Sequence, residues 1–295
     1  MAERLKGCGT ALVTPFTKDG ALDEPALRKL VDWQISEGIH FLVPCGSTGE
    51  AVTMTPAEHC RVVEITVDQA KGRVPIVAGA GSNDTAKAIA LSKQMKAAGA
   101  THLLHVSPMY NKPPQRGIVE HFRKIADATD LPIIVYNVPG RTGSNIEAKT
   151  TLELAKIGNV VAVKEASGNL GQITDIIRDR PQSLSVLSGD DEMTLAVMSA
   201  GGDGVISVIS NATPKAMAQL CDAGLRGDFA AARKLHFQLL AWMRAAFVES
   251  NPIPVKAAMA MLGRMENRLR LPLVPLAETH VESVRAALRA AGALD

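Results

Sequence analysis

The chain has 295 residues, of which 46% are hydrophobic and 21% charged, with a net charge of +2. Those fractions exclude disordered and fibrous classes, and the absence of a basic run leaves no nucleic-acid footprint. Only 3% of the residues are aromatic, including two tyrosines, Tyr110 and Tyr136, so the core must be built from aliphatic side chains and alanine.

Residues 1–9 lack an apolar segment of signal-peptide length, and no run of about 18 uncharged apolar residues exists to span a bilayer. No membrane association is therefore expected. Cys8, Cys45, Cys60 and Cys221 fit neither a CxxC redox motif nor a zinc ribbon, and read as free thiols of a cytoplasmic protein.

Short apolar runs predict strands at 9–13, 41–44, 74–79, 101–107, 132–137, 160–165, 185–188 and 204–207. They recur at roughly 30-residue intervals, the length of a strand plus its returning helix. They run apolar with little alternation, as buried parallel strands do. Between them, segments such as 56–70, 85–98 and 117–128 carry apolar residues at three- and four-residue spacing. Pro56 and Gly99 punctuate a helix start and a helix end.

Eight βα units specify an α/β fold of the closed (β/α)8 TIM-barrel type better than an open doubly wound sheet. Past about Lys215 the strand signals stop, and helical patterns follow at 228–249, 254–265 and 276–291. The expected organisation is a catalytic barrel over 1–225 with a three-helix extension, 226–295, packed on it.

In a barrel, the site forms at the C-terminal ends of the strands. Reactive residue types collect there: Ser47, Thr48 and Glu50 after the second strand, Tyr110 after the fourth, and Tyr136 and Arg141 after the fifth. Lys164 follows the sixth, Gly189, Asp190 and Asp191 the seventh, and Ile206 and Ser207 close the eighth. With period two, Val160, Ala162 and Lys164 share one strand face. If that face points into the barrel, desolvation lowers the pKa of the amine, and a neutral amine can attack a ketone to form a Schiff base. A lysine whose head simply reaches solvent is the competing reading.

Ser47 and Thr48 lie in a glycine-flanked turn expected to open a helix whose N–H groups could hold a carboxylate, or else they merely cap that helix. Arg141 suits bidentate binding of a carboxylate, or is a solvated loop residue. Asp190 and Asp191 read either as a paired acid or as caps of the next helix. A P-loop, a complete dinucleotide fingerprint and a Gly-x-Ser-x-Gly elbow are all missing. His102 and His105, three apart on a strand, face opposite ways and make a poor metal pair.

The combination Gly46-x-Thr48-Gly49-Glu50, Tyr136-Asn137-Val138-Pro139, Val163-Lys164-Glu165 and Gly204-Val205-Ile206-Ser207 resembles the dihydrodipicolinate synthase (4-hydroxy-tetrahydrodipicolinate synthase) branch of the N-acetylneuraminate lyase superfamily. The resemblance spans nearly the whole chain, from Gly9-Thr10-Ala11 to Leu271-Pro272-Leu273-Val274-Pro275. It implies a pyruvate-dependent class I aldolase in which Lys164 forms an imine with pyruvate and the derived enamine attacks L-aspartate 4-semialdehyde. It further implies Tyr136 as general acid/base, with Ser47 and Tyr110 as its relay partners. Tyr110 then reaches in from a neighbouring subunit of a homodimer, usually paired into a tetramer. Thr48 resembles the residue that holds the pyruvate carboxylate, with Ile206 and Gly189 beside it. Arg141 resembles the residue that receives the carboxylate of the semialdehyde. The lysine chemistry implies no metal and no organic cofactor.

Two departures stand out. Ser47 occupies a position where this branch mostly carries threonine, and Glu192 is shared with the sialic acid lyases. The lyase reading, cleavage of N-acetylneuraminate or a 2-keto-3-deoxy sugar acid, therefore remains an alternative, as does a barrel that only binds a keto acid. Arg141 favours the synthase. Lysine-inhibited members carry a glutamate and a second tyrosine where this chain has Lys87 and Met109, although His59 and Asn83 agree. Inhibition by L-lysine is expected to be weak or absent.

Overall fold

The computed structural model describes residues 4–295. The first half runs β1 (Gly7–Ala11), α1 (Glu24–Ser36), β2 (Phe41–Val43), α2 (Pro56–Ala70), β3 (Val77–Gly79), α3 (Thr85–Ala97), β4 (His102–Val106) and α4 (Gln115–Asp127). The second half runs β5 (Ile133–Asn137), α5 (Pro139–Thr142), α6 (Ala148–Leu154), β6 (Val160–Glu165), α7 (Leu170–Asp179), β7 (Ser185–Ser188), α8 (Thr194–Ser199), β8 (Gly204–Ser207) and α9 (Pro214–Leu225). Three further helices follow: α10 (Phe229–Ala245), α11 (Ile253–Met261) and α12 (Glu278–Ala290).

All eight strands are parallel, in the order β2-β1-β8-β7-β6-β5-β4-β3. A parallel bridge between Leu42 and Ile76 joins the two ends of that order. There Leu42 N–H donates to Pro75 O at 3.0 Å, and Gly79 N–H to Pro44 O at 3.0 Å. The sheet therefore curls into a (β/α)8 barrel, as the strand repeat predicts. The seam between β2 and β3 is tight: a Cβ on Gly79 would lie 2.0 Å from the Cys45 carbonyl oxygen. β3 is shorter than the apolar run at 74–79 because Pro75 has no N–H to give to a ladder.

The barrel interior is filled by Phe41, Val77, Leu104, Ile134, Leu187 and Ile206. This is a packed core, not a pore. Pairing between β5 and β6 slips so that Ile133 meets Val160 while Ile134 meets Ala162. Val161 is thus an extra residue, a bulge. It breaks strict alternation: Val160 turns into the outer layer, while Ala162 stays in the inner one. The expectation that Val160, Ala162 and Lys164 share a face is corrected here, since period two holds only beyond the bulge.

Helix starts follow side-chain chemistry. Thr55 and Glu58 form a capping box at α2, with Glu58 N–H donating to Thr55 Oγ1 at 3.2 Å and Thr55 N–H to Glu58 Oε2 at 2.9 Å. α4 starts at Gln115, two residues before the apolar pattern at 117–128 becomes visible, with Pro114 as its cap. Among the described residues, no helix is long and apolar enough to cross a membrane.

The last three helices share one aliphatic cluster with α1, α2 and α9, including Leu27, Val62, Met217, Trp242, Val255 and Leu288. Trp242, fully buried on α10, donates its indole N–H to Ile209 O at 3.3 Å. The deepest tie is ionic. Lys256 on α11 is fully buried, and its ammonium donates to Glu50 Oε1 at 2.6 Å and to Thr14 O at 2.9 Å. Glu50 Oε2 also accepts the Arg270 N–H at 3.0 Å. The helical extension thereby grips the segment that follows β2.

Removing one partner from a buried ion pair leaves the other charge uncompensated. Lys256→Met is expected to lower the unfolding free energy by about 3–5 kcal/mol. Adding Glu50→Gln, which removes the stranded charge but still accepts from Arg270, should recover part of that loss. Urea unfolding of the two variants is the measurement, and equal losses would show that the stranded charge is not the cost.

Candidate active site

At the C-terminal mouth of the barrel lies a cavity of about 250 Å³, lined by residues from the ends of the strands and by Phe247 and Asn251. Lys164 closes β6 and is buried at 5% exposure. Its Nζ lies 4.2 Å from the centre of the Tyr136 ring, which β5 brings alongside through the Tyr136–Lys164 register pair. Among the described residues Lys164 has no salt-bridge partner. Burial pushes its amine down to about 7, with Asp191 pulling upward and Arg141 adding to the downward push. Lys164 therefore does not reach solvent, and its amine is uncharged in a substantial fraction of molecules at neutral pH.

Tyr136 is also buried, and burial pushes its phenol up to about 12, with Arg141 and Asp190 acting in opposite directions. Its proton is firmly held. Gly189 lies against the lysine: a Cβ there would stand 3.2 Å from Lys164 Cε and 2.6 Å from Ala166 Cβ. Only glycine allows that approach without displacing the amine.

The segment after β2 differs from the expected helix start. Gly49 N–H and Glu50 N–H turn back to Gly46 O and Ser47 O at 3.1 Å each, a 3-10 turn spans Ala51–Thr53, and α2 begins only at Pro56. The reason is local: Glu50 sits at φ 56, a left-handed conformation that stops a helix, and its carboxylate is tied to Lys256. Ser47 and Thr48 both line the cavity, Ser47 exposed at its rim and Thr48 buried. Among the described residues their N–H groups donate to no protein oxygen.

Arg141 lines the cavity from α5, a single turn set by Pro139. Its guanidinium donates to Asn251 O at 3.2 Å. Asn251 in turn donates its Nδ2 to Thr48 Oγ1 at 2.9 Å, while its buried Oδ1 has no partner among the described residues. One residue of the helical extension thus joins Thr48 to Arg141. Sequence reasoning missed it, because the run Asn251-Pro252-Ile253-Pro254 reads only as a break between helices.

Four expected positions fall elsewhere. Ile206 is fully buried in the inner layer of the barrel and does not line the cavity. Tyr110 is 89% exposed, sits at φ 72, and lies outside the cavity of its own chain. Asp191 does not cap α8, whose N-terminus has no side-chain cap. Its Oδ2 instead accepts the Val208 and Ile209 N–H groups at 2.9 and 3.2 Å. Glu192 is spent on Arg244 of α10, at 2.7 Å, outside the cavity.

Of the residues compared with lysine-inhibited proteins, His59 and Met109 line this cavity, and His59 Nε2 lies 2.8 Å from Gly79 O. Asn83 donates to Met109 O at 3.1 Å, and Lys87 is exposed in the first turn of α3.

A parallel eight-stranded barrel with a buried, unpaired lysine and a phenol at its C-terminal mouth has the layout of a barrel enzyme whose site lies at the strand ends. The family model described as the dihydrodipicolinate synthetase family matches residues 4–291, and the chain belongs to that family. A relative from Koribacter versatilis named 4-hydroxy-tetrahydrodipicolinate synthase is 54% identical over 274 residues, covering 92% of this chain and 91% of its own. Dihydrodipicolinate synthase from Thermotoga maritima superposes with a TM-score of 0.97 at 43% identity, covering 99% of this chain and all of its own. The chloride-inhibited dihydrodipicolinate synthase of Acinetobacter baumannii, solved with pyruvate, gives a TM-score of 0.96 at 42% identity, covering 98% of this chain and 99% of its own.

The burial of Lys164 sets a direct expectation. Its neutral fraction should rise through a midpoint at about pH 7, not near the ordinary 10.5. Reductive methylation at graded pH, read by peptide mass spectrometry, measures that midpoint at Lys164 against the exposed lysines of the same sample. A common midpoint for all of them would refute the desolvated amine.

Proposed function

We propose that this chain condenses pyruvate with L-aspartate 4-semialdehyde through a Schiff base on Lys164, the reaction for which its relatives are named. The observation that carries this reading is the buried, unpaired amine of Lys164 against Tyr136. In the proposed sequence, neutral Nζ attacks the keto carbon, a C–N bond forms, and the carbonyl oxygen leaves as water. The iminium then loses a methyl proton to become an enamine. The enamine carbon adds to the aldehyde, forming a C–C bond, and the amino group of that substrate displaces Lys164 as the ring closes.

Tyr136 is assigned to proton transfer at the imine, with Ser47 and the Tyr110 of a second chain completing the relay. Such positioned transfer contributes typically ~10²–10⁴-fold. Thr48 and the unpaired N–H groups of its turn are assigned to the pyruvate carboxylate, with Gly189 giving a backbone contact; Ile206, buried beneath the cavity, is left without one. Arg141 is assigned to the carboxylate of the semialdehyde. Cavity-lining Arg141, together with Glu192 turned away to Arg244, favours this substrate over a sugar acid. The mechanism uses no metal or organic cofactor. It calls for a homodimer at least, in the expected arrangement a dimer of dimers, working in the cytoplasm, with residues 226–295 serving as an extension of the barrel. Lys87 and Met109 replace the glutamate and tyrosine expected of a lysine-binding site, so feedback inhibition is proposed to be weak or absent.

Borohydride reduction with pyruvate should add one reduced pyruvate to Lys164, and Lys164→Ala should abolish both the adduct and turnover with semialdehyde. The semialdehyde turnover assay with added L-lysine should show no inhibition in the low-millimolar range. A wild-type protein that gains no mass would reject imine chemistry, whereas an adduct without semialdehyde turnover would point to another aldehyde or to a keto-acid sensor. The role in trans has its own test. Inactive Tyr110→Phe and Lys164→Ala proteins should regain some activity when mixed and allowed to exchange subunits, and none if the relay is completed within one chain.

A further inference from the structure

Beyond the bulge, successive residue pairs of β5 and β6 face opposite ways. The register pair Tyr136–Lys164 faces the cavity, and the next pair, Asn137–Glu165, turns to the other side. Asn137 and Glu165 are 0% and 1% exposed, and neither lines the cavity. The reaction above gives neither of them a role.

The polar groups around this pair can be oriented one after another. The Ile146 N–H must donate, so the Asn137 atom it meets at 2.9 Å is Oδ1, and Asn137 presents Nδ2 to its other neighbours. Those are Glu165 Oε1, and Asn145 Oδ1 at 2.8 Å. Asn145 Nδ2 then donates to Gln172 Oε1 at 2.7 Å, which turns Gln172 Nε2 toward Glu165 Oε1 at 3.3 Å. Glu165 Oε2 accepts the Ser167 hydroxyl at 2.7 Å and the Ser167 N–H at 3.4 Å. Donors therefore meet both oxygens of Glu165. A glutamine has one oxygen, and its NH2 would face an N–H donor whichever way it turned. The network calls for a carboxylate at a position where burial works against one.

What the carboxylate holds is the base of a loop. The chain leaves β5 at Asn137 and returns to the Asn137 side chain at Ile146, so residues 138–146 form a closed excursion. That loop carries Arg141 into the cavity, and its Thr142 O accepts the Tyr110 N–H at 3.2 Å. Arg141 itself is held by the single turn of α5 and by one hydrogen bond, from its guanidinium to Asn251 O at 3.2 Å. The reach of the guanidinium toward Lys164 is therefore set by where the loop base is fixed, and Glu165 fixes it one residue after Lys164.

We propose that Glu165 is a positioning residue for the aldehyde substrate: through Asn137 it fixes the loop base that sets the distance between Arg141 and the Lys164 amine, and so selects an aldehyde whose carboxylate lies at the matching reach. This rests on the assignment of Arg141 to the carboxylate of the semialdehyde.

Glu165→Gln keeps the shape and removes one acceptor. The KM for L-aspartate 4-semialdehyde should rise roughly 10- to 100-fold, the scale on which a misplacement of about 1 Å in a positioned group is felt. The pyruvate concentration for half-maximal borohydride trapping should stay at the wild-type value. Arg141→Gln should raise the same KM, and adding Glu165→Gln to it should raise it little further, because residues that act as one unit are not additive. A general distortion of the site would instead shift pyruvate trapping together with KM, and would add to the Arg141→Gln loss. Either of those results, or an unchanged KM in Glu165→Gln, overturns the positioning role while the imine stands. If Glu165→Gln does not fold, Gln172→Ala, which removes one donor at the edge of the network, decides in its place. A raised KM with unchanged trapping then supports the role, and an unchanged KM overturns it. If the wild type traps pyruvate but does not turn over the semialdehyde, or if Arg141→Gln keeps the wild-type KM, the reading beneath the proposal fails and the proposal falls with it.

Discussion

An ammonium ion is stabilised by water to an extent that aliphatic side chains cannot replace, so moving a lysine amine into an apolar wall favours its neutral form. The mouth of this barrel depends on that imbalance. Tyr136 gives the amine a ring face, Gly189 and Ala166 crowd its stem, and no carboxylate salt-bridges it among the described residues. The low aromatic content has a consequence here, because a barrel filled with Val, Leu, Ile and Ala offers few groups that could donate to or accept from the lysine. Every other part of the site is arranged around an amine that the interior keeps partly uncharged.

The second buried lysine shows what a partner changes. Lys256 is as deeply enclosed as Lys164, and burial pushes its amine down to about 8. Glu50 and the Thr14 carbonyl meet it at hydrogen-bonding distance, so Lys256 is held as a cation and serves as a clamp. The clamp acts on Glu50, whose left-handed backbone ends the turn carrying Ser47 and Thr48. Through Asn251 the same extension reaches Thr48 directly. One lysine is left without a salt-bridge partner at the centre of the site. The other is spent on holding the loop in which the substrate carboxylate is proposed to sit. The difference between them lies in what surrounds each amine, since the side chains are the same.

What was legible in the sequence was local and periodic. A buried parallel strand is an uninterrupted apolar run, so eight of them announced themselves at near-regular intervals, and the polar residue ending each run marked the mouth of the barrel. Lys164 was visible because it ends such a run. The bulge at Val161 was not, because an extra residue in a run of valines and alanine changes no residue type. Nor was the function of Lys256, which meets Glu50 across 206 residues of chain, or that of Asn251, which meets Thr48 across 203. Contacts that distant leave no periodic trace. Asp191 matched the ordinary pattern of an acid before a helix, but its Oδ2 accepts N–H groups of the turn after β8, a contact across the chain that no local pattern announces.

The two tyrosines occupy opposite environments, and the contrast bears on how many chains the proposed reaction needs. Tyr136 is enclosed, and its phenol is pushed up to about 12, so it gives up its proton only if a neighbour accepts charge or passes a proton on. Its own chain offers Ser47 at the rim of the cavity. Tyr110 lies outside the cavity of its own chain. It is 89% exposed at φ 72, a conformation that costs a non-glycine residue roughly 1–2 kcal/mol. The strained pose is also held in place: Tyr110 N–H donates to Thr142 O, Asn83 donates to Met109 O, and Asn111 donates back to Asn83 O. Three hydrogen bonds thus hold the backbone around this exposed aromatic side chain in a conformation against its preference. If the phenol of Tyr110 completes the relay, it does so in the cavity of a second copy, and the imine site of each chain is then incomplete alone.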